Sequence, residues 1–240
     1  MKLSRFPHNL LRPNETIDEF MNGRLRLIQS KNGYRFSIDA VLVSEFVSTK
    51  PGDIVVDLGA GCGVISLLLL LTRDIAYAVG IEIQPDLADQ ARRNAALNGF
   101  SNKMGIVLAD IRSLPLAPCI ADVIVCNPPY RRKNSGRVNP DLQRAIARHE
   151  LKATLDDIVE SSERILKPGG KLAIIYPAGR LVDLLVRMRS LGLEPKRARV
   201  IYPTIQSESK MVLVEANKGG KAGLKILPPL VGQGDFFISS

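Results

Sequence analysis

Two hydrophobic periods alternate along this chain, and their alternation marks out its architecture. From Ile54 onward, short runs rich in β-branched residues are separated by stretches whose apolar residues recur three and four apart. The short runs predict buried strands at Ile54–Leu58, Tyr77–Ile83, Gly105–Asp110, Asp122–Cys126 and Lys171–Tyr176, with two more near Arg197–Tyr202 and Met211–Glu215. The helical period predicts helices from Gly63 to about Leu71, from Pro85 to a stop at Asn98-Gly99, from about Thr154 to Leu166, and from about Gly179 to Leu191. Repeated strand–helix units imply an α/β fold: a doubly wound, mostly parallel seven-stranded sheet, with an antiparallel edge from the last strands.

Ahead of this region the pattern is different. Residues 1–22 are polar and irregular, which predicts a loose lead-in. Arg24–Gln29 alternates, Ser30-Lys31-Asn32-Gly33 reads as a turn, and Tyr34-Arg35-Phe36 alternates again, so a hairpin is expected there. Ser37 then caps a helix from Ile38 to Val47, whose Ile38, Val41, Leu42 and Phe46 fall at helical spacing. The chain therefore divides into an N-terminal hairpin–helix extension (1–50), a main α/β domain (51–217) and a basic tail (218–240), the tail only partly ordered.

Charge changes the picture more than composition does. A formal net charge of +9 and a pI near 9.6 point to a polyanionic partner. The three cysteines, Cys62, Cys119 and Cys126, form no C-x-x-C pair, so reduced thiols and a cytoplasmic setting are expected, without a disulfide frame or a bound metal. The longest apolar run, Val64–Leu71, is far below the roughly 18 residues of a membrane span, and no signal-like segment opens the chain. A soluble protein, most simply a monomer, is expected.

The candidate chemistry gathers where predicted strands end. After the Asp122–Cys126 strand come Asn127-Pro128-Pro129-Tyr130. Two prolines carry no N–H and fix φ, so an amide oxygen, a free carbonyl and an aromatic ring project from the strand end. Such a corner suits a planar –NH₂ group: two acceptors take its hydrogens while the ring stacks on the π-system behind it. Asp57, Glu82 and Asp110 sit at the ends of the first three strands, where ligands of open α/β sheets bind. The glycines that follow Asp57 permit close backbone approach, and Glu82, 23 residues after Gly59, can accept two ribose hydroxyls. Asp110 can take an adenine amine. A dinucleotide fingerprint is broken by Ser66, and Asp57 would repel a pyrophosphate. A cationic nucleoside such as S-adenosylmethionine fits better, with Asp57 meeting its ammonium group. Beyond Tyr130, the basic residues Arg131, Arg132, Lys133, Arg137, Arg144 and Arg148 are opposed only by Asp141, which suits phosphate contacts while a base is turned out of a folded RNA. His149 is read as structural.

D-L-G-A-G-C-G, I-E-I-Q, A-D-I and N-P-P-Y, in this order, resemble the class I S-adenosylmethionine-dependent methyltransferases that act on exocyclic amines. G-Y-R-F-S-I-D-A-V-L-V, R-H-E and E-A-N-K-G-G-K narrow this to a resemblance with the bacterial tRNA adenine-N6 methyltransferases that modify an adenine beside the anticodon of a valine tRNA. It spans roughly Arg24 to Lys221. The resemblance implies the Rossmann-like methyltransferase fold, with the amine held by Asn127 and the Pro128 carbonyl, Pro129 completing the motif, and Tyr130 stacked on the base. It further implies that Asp57, Gly59, Gly61, Gly63, Glu82, Ile83, Asp110, Ile111 and Asn127 line the cofactor site, with Arg35, Phe36 and Asp39 over its methionine end. Two alternatives stay open at this point. N-P-P-Y serves a protein glutamine amide equally well, as in release-factor methylation, although a larger helical domain would be expected ahead of the glycine loop. A non-catalytic RNA-binding protein with a vestigial cofactor site is the other.

Overall fold

The computed structural model describes residues 10–32, 35, 37–128 and 153–232. Its first element corrects the expected lead-in and hairpin. Strand β1 (Glu15–Phe20) pairs antiparallel with β2 (Leu25–Ser30), around a turn in which Met21, Asn22 and Gly23 all have positive φ. The N-terminal extension carries two Asn-Gly pairs, at 22–23 and 32–33, that are equivalent as local turn signals. Partnering decides between them, because β2 turns back onto β1. Leu25, Leu27 and Ile28 of β2 are buried, and Glu15 at the start of β1 is held by Arg93 at 2.6 Å. Helix α1 (Ile38–Phe46) follows as expected, although the Ser37 hydroxyl donates to Asp39 instead of accepting from the backbone.

The main sheet contains the seven expected long strands: β3 (Ile54–Leu58), β4 (Tyr77–Glu82), β5 (Met104–Leu108), β6 (Ala121–Cys126), β7 (Leu166–Pro177), β8 (Leu193–Tyr202) and β9 (Met211–Lys218). Between them lie α2 (Val64–Thr72), α3 (Pro85–Leu97), α4 (Leu155–Ile165) and α5 (Leu181–Ser190). The order across the sheet is β8-β9-β7-β6-β3-β4-β5, and β9 alone runs against its neighbours. The antiparallel strand thus lies one position in from the edge. Two two-residue strands, β10 (Lys225–Ile226) and β11 (Leu230–Val231), pair with the outer side of β8. Part of the basic tail therefore covers a strand edge that would otherwise expose unpaired backbone groups.

Burial follows the pleat. In β6, Val123 and Val125 enter the core under β2, α1 and α2, while Ile124 and Cys126 enter the core under α4 and α5. Strands buried on both faces need unbroken apolar runs, which is why D-V-I-V-C reads as it does. Thr154 and Asp157 form a reciprocal capping box that starts α4, with Ile158 and Ile165 facing inward.

Candidate active site

The strand order reverses between β3 and β6, and ligands of open α/β sheets bind at such a point. Leu58 pairs with Cys126 on one side and with Ile81 on the other, while Glu82 pairs with Leu108. The next residues outward are consequently brought into a row across four parallel strands: Asn127 from β6, Gly59 from β3, Glu82 from β4 and, two residues past Leu108, Asp110 from β5. At a strand spacing of about 4.8 Å, Asn127 and Glu82 stand roughly 10 Å apart across the crevice. Asn127 is half-buried and Pro128 buried. A cavity of about 480 Å³, lined in part by Lys50, Arg73 and Arg197, opens at the amino ends of the strands, the wrong end of the sheet for this chemistry.

The glycine loop is held by backbone bonds. Gly59 and Ala60 donate to the Ile81 carbonyl at 2.9 Å, and Gly61 donates to Glu82 Oε2 at 2.8 Å. Gly59 has φ +79, and a Cβ there would meet nothing within 4 Å, so this backbone is open to an approaching ligand. Gly63, with φ +87, is closed instead: a Cβ would stand 2.7 Å from Met104 Cε and 3.2 Å from Ala91 Cβ. Gln84 N–H donates to Glu82 Oε1 at 2.8 Å, so both oxygens of Glu82 are aimed by backbone donors and keep lone pairs for hydroxyls. Burial raises the Glu82 carboxyl above its usual range, against these bonds.

Asp57 is fully buried beneath the loop. Its Oδ2 accepts from Ser66 Oγ at 3.0 Å, while its Oδ1 is buried with no hydrogen-bond partner. Burial, opposed by the bonds from Ser66, pushes this carboxyl up to about 7. An orphaned, partly ionised carboxylate under an open glycine loop suits a ligand that carries positive charge. Ile83, 43% exposed beside Glu82, offers an apolar face to a flat ring.

Comparison with known proteins agrees with this geometry. A family model described as a methyltransferase domain matches residues 49–226. A tRNA1(Val) (adenine(37)-N6)-methyltransferase of Porphyromonas gingivalis is 33% identical over 206 residues, covering 82% of this chain and 80% of its own. One from Parabacteroides distasonis is 30% identical over 186 residues, covering 77% of each. The chain belongs to this methyltransferase family. Among solved structures, a predicted O-methyltransferase from Agrobacterium tumefaciens superposes with a TM-score of 0.65 at 21% identity, over 84% of this chain and 91% of the other. A geranyl diphosphate methyltransferase in complex with S-adenosylmethionine gives 0.56 at 14% identity, over 75% and 84%. These two support the fold.

The cofactor of this methyltransferase is S-adenosylmethionine, and the residues present fit it: the open Gly59, the aimed Glu82, the exposed Ile83 and the orphaned Asp57 oxygen. Two expected roles change in detail. Asp57 is fully buried beneath the glycine loop and exposes no surface to the crevice. Arg35 is committed to β1, through Asp18 at 2.5 Å and Thr16 at 3.3 Å. Asp110 is available only in part, because Arg112 bridges both its oxygens and, with burial opposing, holds its carboxyl below the usual range. Asp39 is half-buried, and burial raises its carboxyl against the bond from Ser37. Ile111 is half-buried, its carbonyl taken by Ser161 Oγ. Phe36, Pro129, Tyr130, Arg131, Arg132, Lys133, Arg137, Arg144, Arg148 and His149 lie outside the described residues.

Sequence reasoning missed Ser66 as the partner of Asp57, Gln84 as a donor to Glu82, and Asn94 of α3. Ser66 and Asn94 carry a signal in retrospect: each is a polar residue on the buried side of a helix, where it must find a partner. Gln84 acts through its backbone N–H and carries none.

Proposed function

We propose that this protein transfers a methyl group from S-adenosylmethionine to the exocyclic N6 amine of an adenine in tRNA, beside the anticodon. The observation that carries this reading is the register of β6, β3 and β4, which brings Asn127, Gly59 and Glu82 to one row. Bound there, the cofactor supplies an electrophilic methyl on a sulfonium. Glu82 takes the ribose hydroxyls, Ile83 lies against the adenine ring, and Asp57 offsets the ligand's positive charge from below. The target amine is a poor nucleophile because its lone pair is delocalised into the base. The Asn127 amide oxygen and the Pro128 carbonyl accept its two hydrogens, favouring a pyramidal nitrogen whose lone pair faces the methyl group. Tyr130 stacks on the base. Positioning and electrostatics then carry the displacement.

Arg131, Arg132, Lys133, Arg137, Arg144 and Arg148 contact phosphates while the adenine is turned out. In this reading residues 1–50 form a cover, 51–217 the catalytic domain and 218–240 a tail. The setting is the cytoplasm, where tRNA resides; among the described residues no helix is long and apolar enough to cross a membrane. Names of the relatives favour tRNA over a protein amide as the acceptor.

Asn127→Ala should reduce methyl transfer to unmodified tRNA roughly 10³-fold, the scale of removing one transition-state hydrogen-bond partner. Calorimetry should find S-adenosylmethionine affinity within about threefold of wild type. Full turnover by this variant would overturn the assignment, as would methylation of a glutamine peptide in preference to tRNA.

A further inference from the structure

One buried side chain links the N-terminal hairpin to the cofactor loop. Asn94 of α3 is fully buried. Its Oδ1 accepts from Ile28 N–H at 2.6 Å, and its Nδ2 donates to the Ile28 carbonyl at 3.1 Å and to the Cys62 carbonyl at 2.9 Å. Ile28 belongs to β2, and Cys62 lies in the glycine loop. Just past the end of α3, Asn98 makes the corresponding pair with Arg26: Oδ1 accepts from its N–H at 2.9 Å and Nδ2 donates to its carbonyl at 2.7 Å, and to the Asn94 carbonyl at 2.8 Å. Two amides four residues apart thus meet backbone groups two residues apart on the free edge of β2, as a neighbouring strand would. Only Asn94 also reaches the loop. Beneath it, Ala91 packs against Gly63, so α3 already seats that end of the loop.

We propose that Asn94 is a positioning residue that makes the set of the S-adenosylmethionine loop depend on the docked hairpin. The inference rests on the cofactor reading given above. The Cys62 carbonyl is held by an amide that is itself oriented by Ile28 on both of its polar atoms. If the hairpin lifts, the amide loses its orientation and the loop loses its anchor; if the loop is stiffened by ligand, β2 is stiffened with it. Coupling of this kind is reciprocal.

The decisive comparison is Asn94→Asp against Asn98→Asp in the full-length protein. Each substitution keeps the acceptor and removes the amide donor at one rung, but only the first releases Cys62. Asn94→Asp should weaken S-adenosylmethionine binding by about tenfold or more, measured calorimetrically without tRNA, and raise its KM while leaving kcat at saturating cofactor within about threefold. Asn98→Asp, at a half-buried position, should lower Tm less than Asn94→Asp and change cofactor affinity less than about twofold. Equal effects of the two variants on affinity would show Asn94 to be merely structural and overturn the proposal. A second measurement needs no variant: cofactor binding to the wild-type protein should slow amide exchange of Ile28 by about tenfold along with that of Gly61. Slowing at Gly61 with none at Ile28 would overturn the coupling even if Asn94→Asp fails to fold. A wild-type protein that binds no S-adenosylmethionine would overturn the cofactor reading itself, a result distinct from binding that ignores Asn94.

Discussion

At Asp57 the demands of function and stability conflict. Burial lifts this carboxyl from 3.8 to about 7, against the hydrogen bonds from Ser66, while in the unfolded chain it titrates near 3.8. The folded state therefore holds the proton more tightly. Its contribution to stability is fully present below about pH 4 and is lost as pH rises through about 7. Between pH 5 and 7 the loss amounts to about 2–3 kcal/mol. Asp57→Asn removes the titration, so thermal unfolding of the ligand-free variant should show a flatter decline of Tm over that interval than wild type. The same carboxylate attracts a cationic ligand only when ionised. Wild-type affinity for S-adenosylmethionine should therefore rise up to about tenfold from pH 5.5 to 7, and the affinity of Asp57→Asn should stay flat. A parallel rise in both proteins would remove Asp57 from the site. Glu82 differs because backbone donors from Gly61 and Gln84 satisfy both of its oxygens before any ligand arrives.

Among the elements, the hairpin depends most on partners distant in sequence. Arg93 of α3 holds both oxygens of Glu15 at 2.6 Å and also bonds Asp89 and the Leu10 carbonyl. Burial alone would raise the Glu15 carboxyl, but the bonds from Arg93, the Arg12 N–H and Gln90 outweigh it and hold it below its usual range. A depressed carboxylate contributes stability above its unfolded pKa and loses it as pH falls through the folded one, so the hairpin should undock in acid, once pH falls below the usual carboxylate range. Glu15→Gln removes the carboxylate that faces both terminal nitrogens of Arg93, leaving only Asp89 to balance a mostly buried guanidinium, and should cost about 2–3 kcal/mol. Urea unfolding would measure that loss, and limited proteolysis between β1 and β2 would locate it. A Tm and a cleavage pattern equal to wild type would show that Glu15 anchors nothing. Helix α4 is a simpler case, since its capping box is local: Thr154→Ala should cost about 1 kcal/mol in the same assay, without exposing the hairpin. This contrast explains why α4 was legible in the sequence from about Thr154, whereas β1 was not. The signals for α4 lie within one turn; those for β1 lie in Arg93 and in the buried face of β2.

For the molecule as a whole, the proposed function makes charge the main term in the encounter with tRNA. The chain carries a formal +9, and the basic residues after Tyr130 lie next in sequence to N-P-P-Y. Binding should weaken steeply with salt, because each phosphate neutralised releases counterions. Replacing Arg131 and Arg132 together with Ala should lower tRNA affinity about tenfold at moderate salt and make the log–log salt dependence shallower by about 1–2. Cofactor affinity should not change. Filter binding across a salt series would read both effects, and an unchanged slope would place the phosphate contacts elsewhere.

By itself the sequence determined the succession of strands and helices, the acids and N-P-P-Y at strand ends, and the basic flank, because periods of two and 3.6 residues and proline stops are set by near neighbours. Tertiary structure decided what near neighbours leave equivalent. It selected which Asn-Gly turn closes the hairpin, inserted β9 between β7 and β8, laid part of the tail along β8, buried Asp57 beneath the glycine loop, and joined Asn94 to both Ile28 and Cys62. Each of these choices is made by burying apolar surface and pairing buried polar groups across long stretches of chain, and no local pattern records the partner.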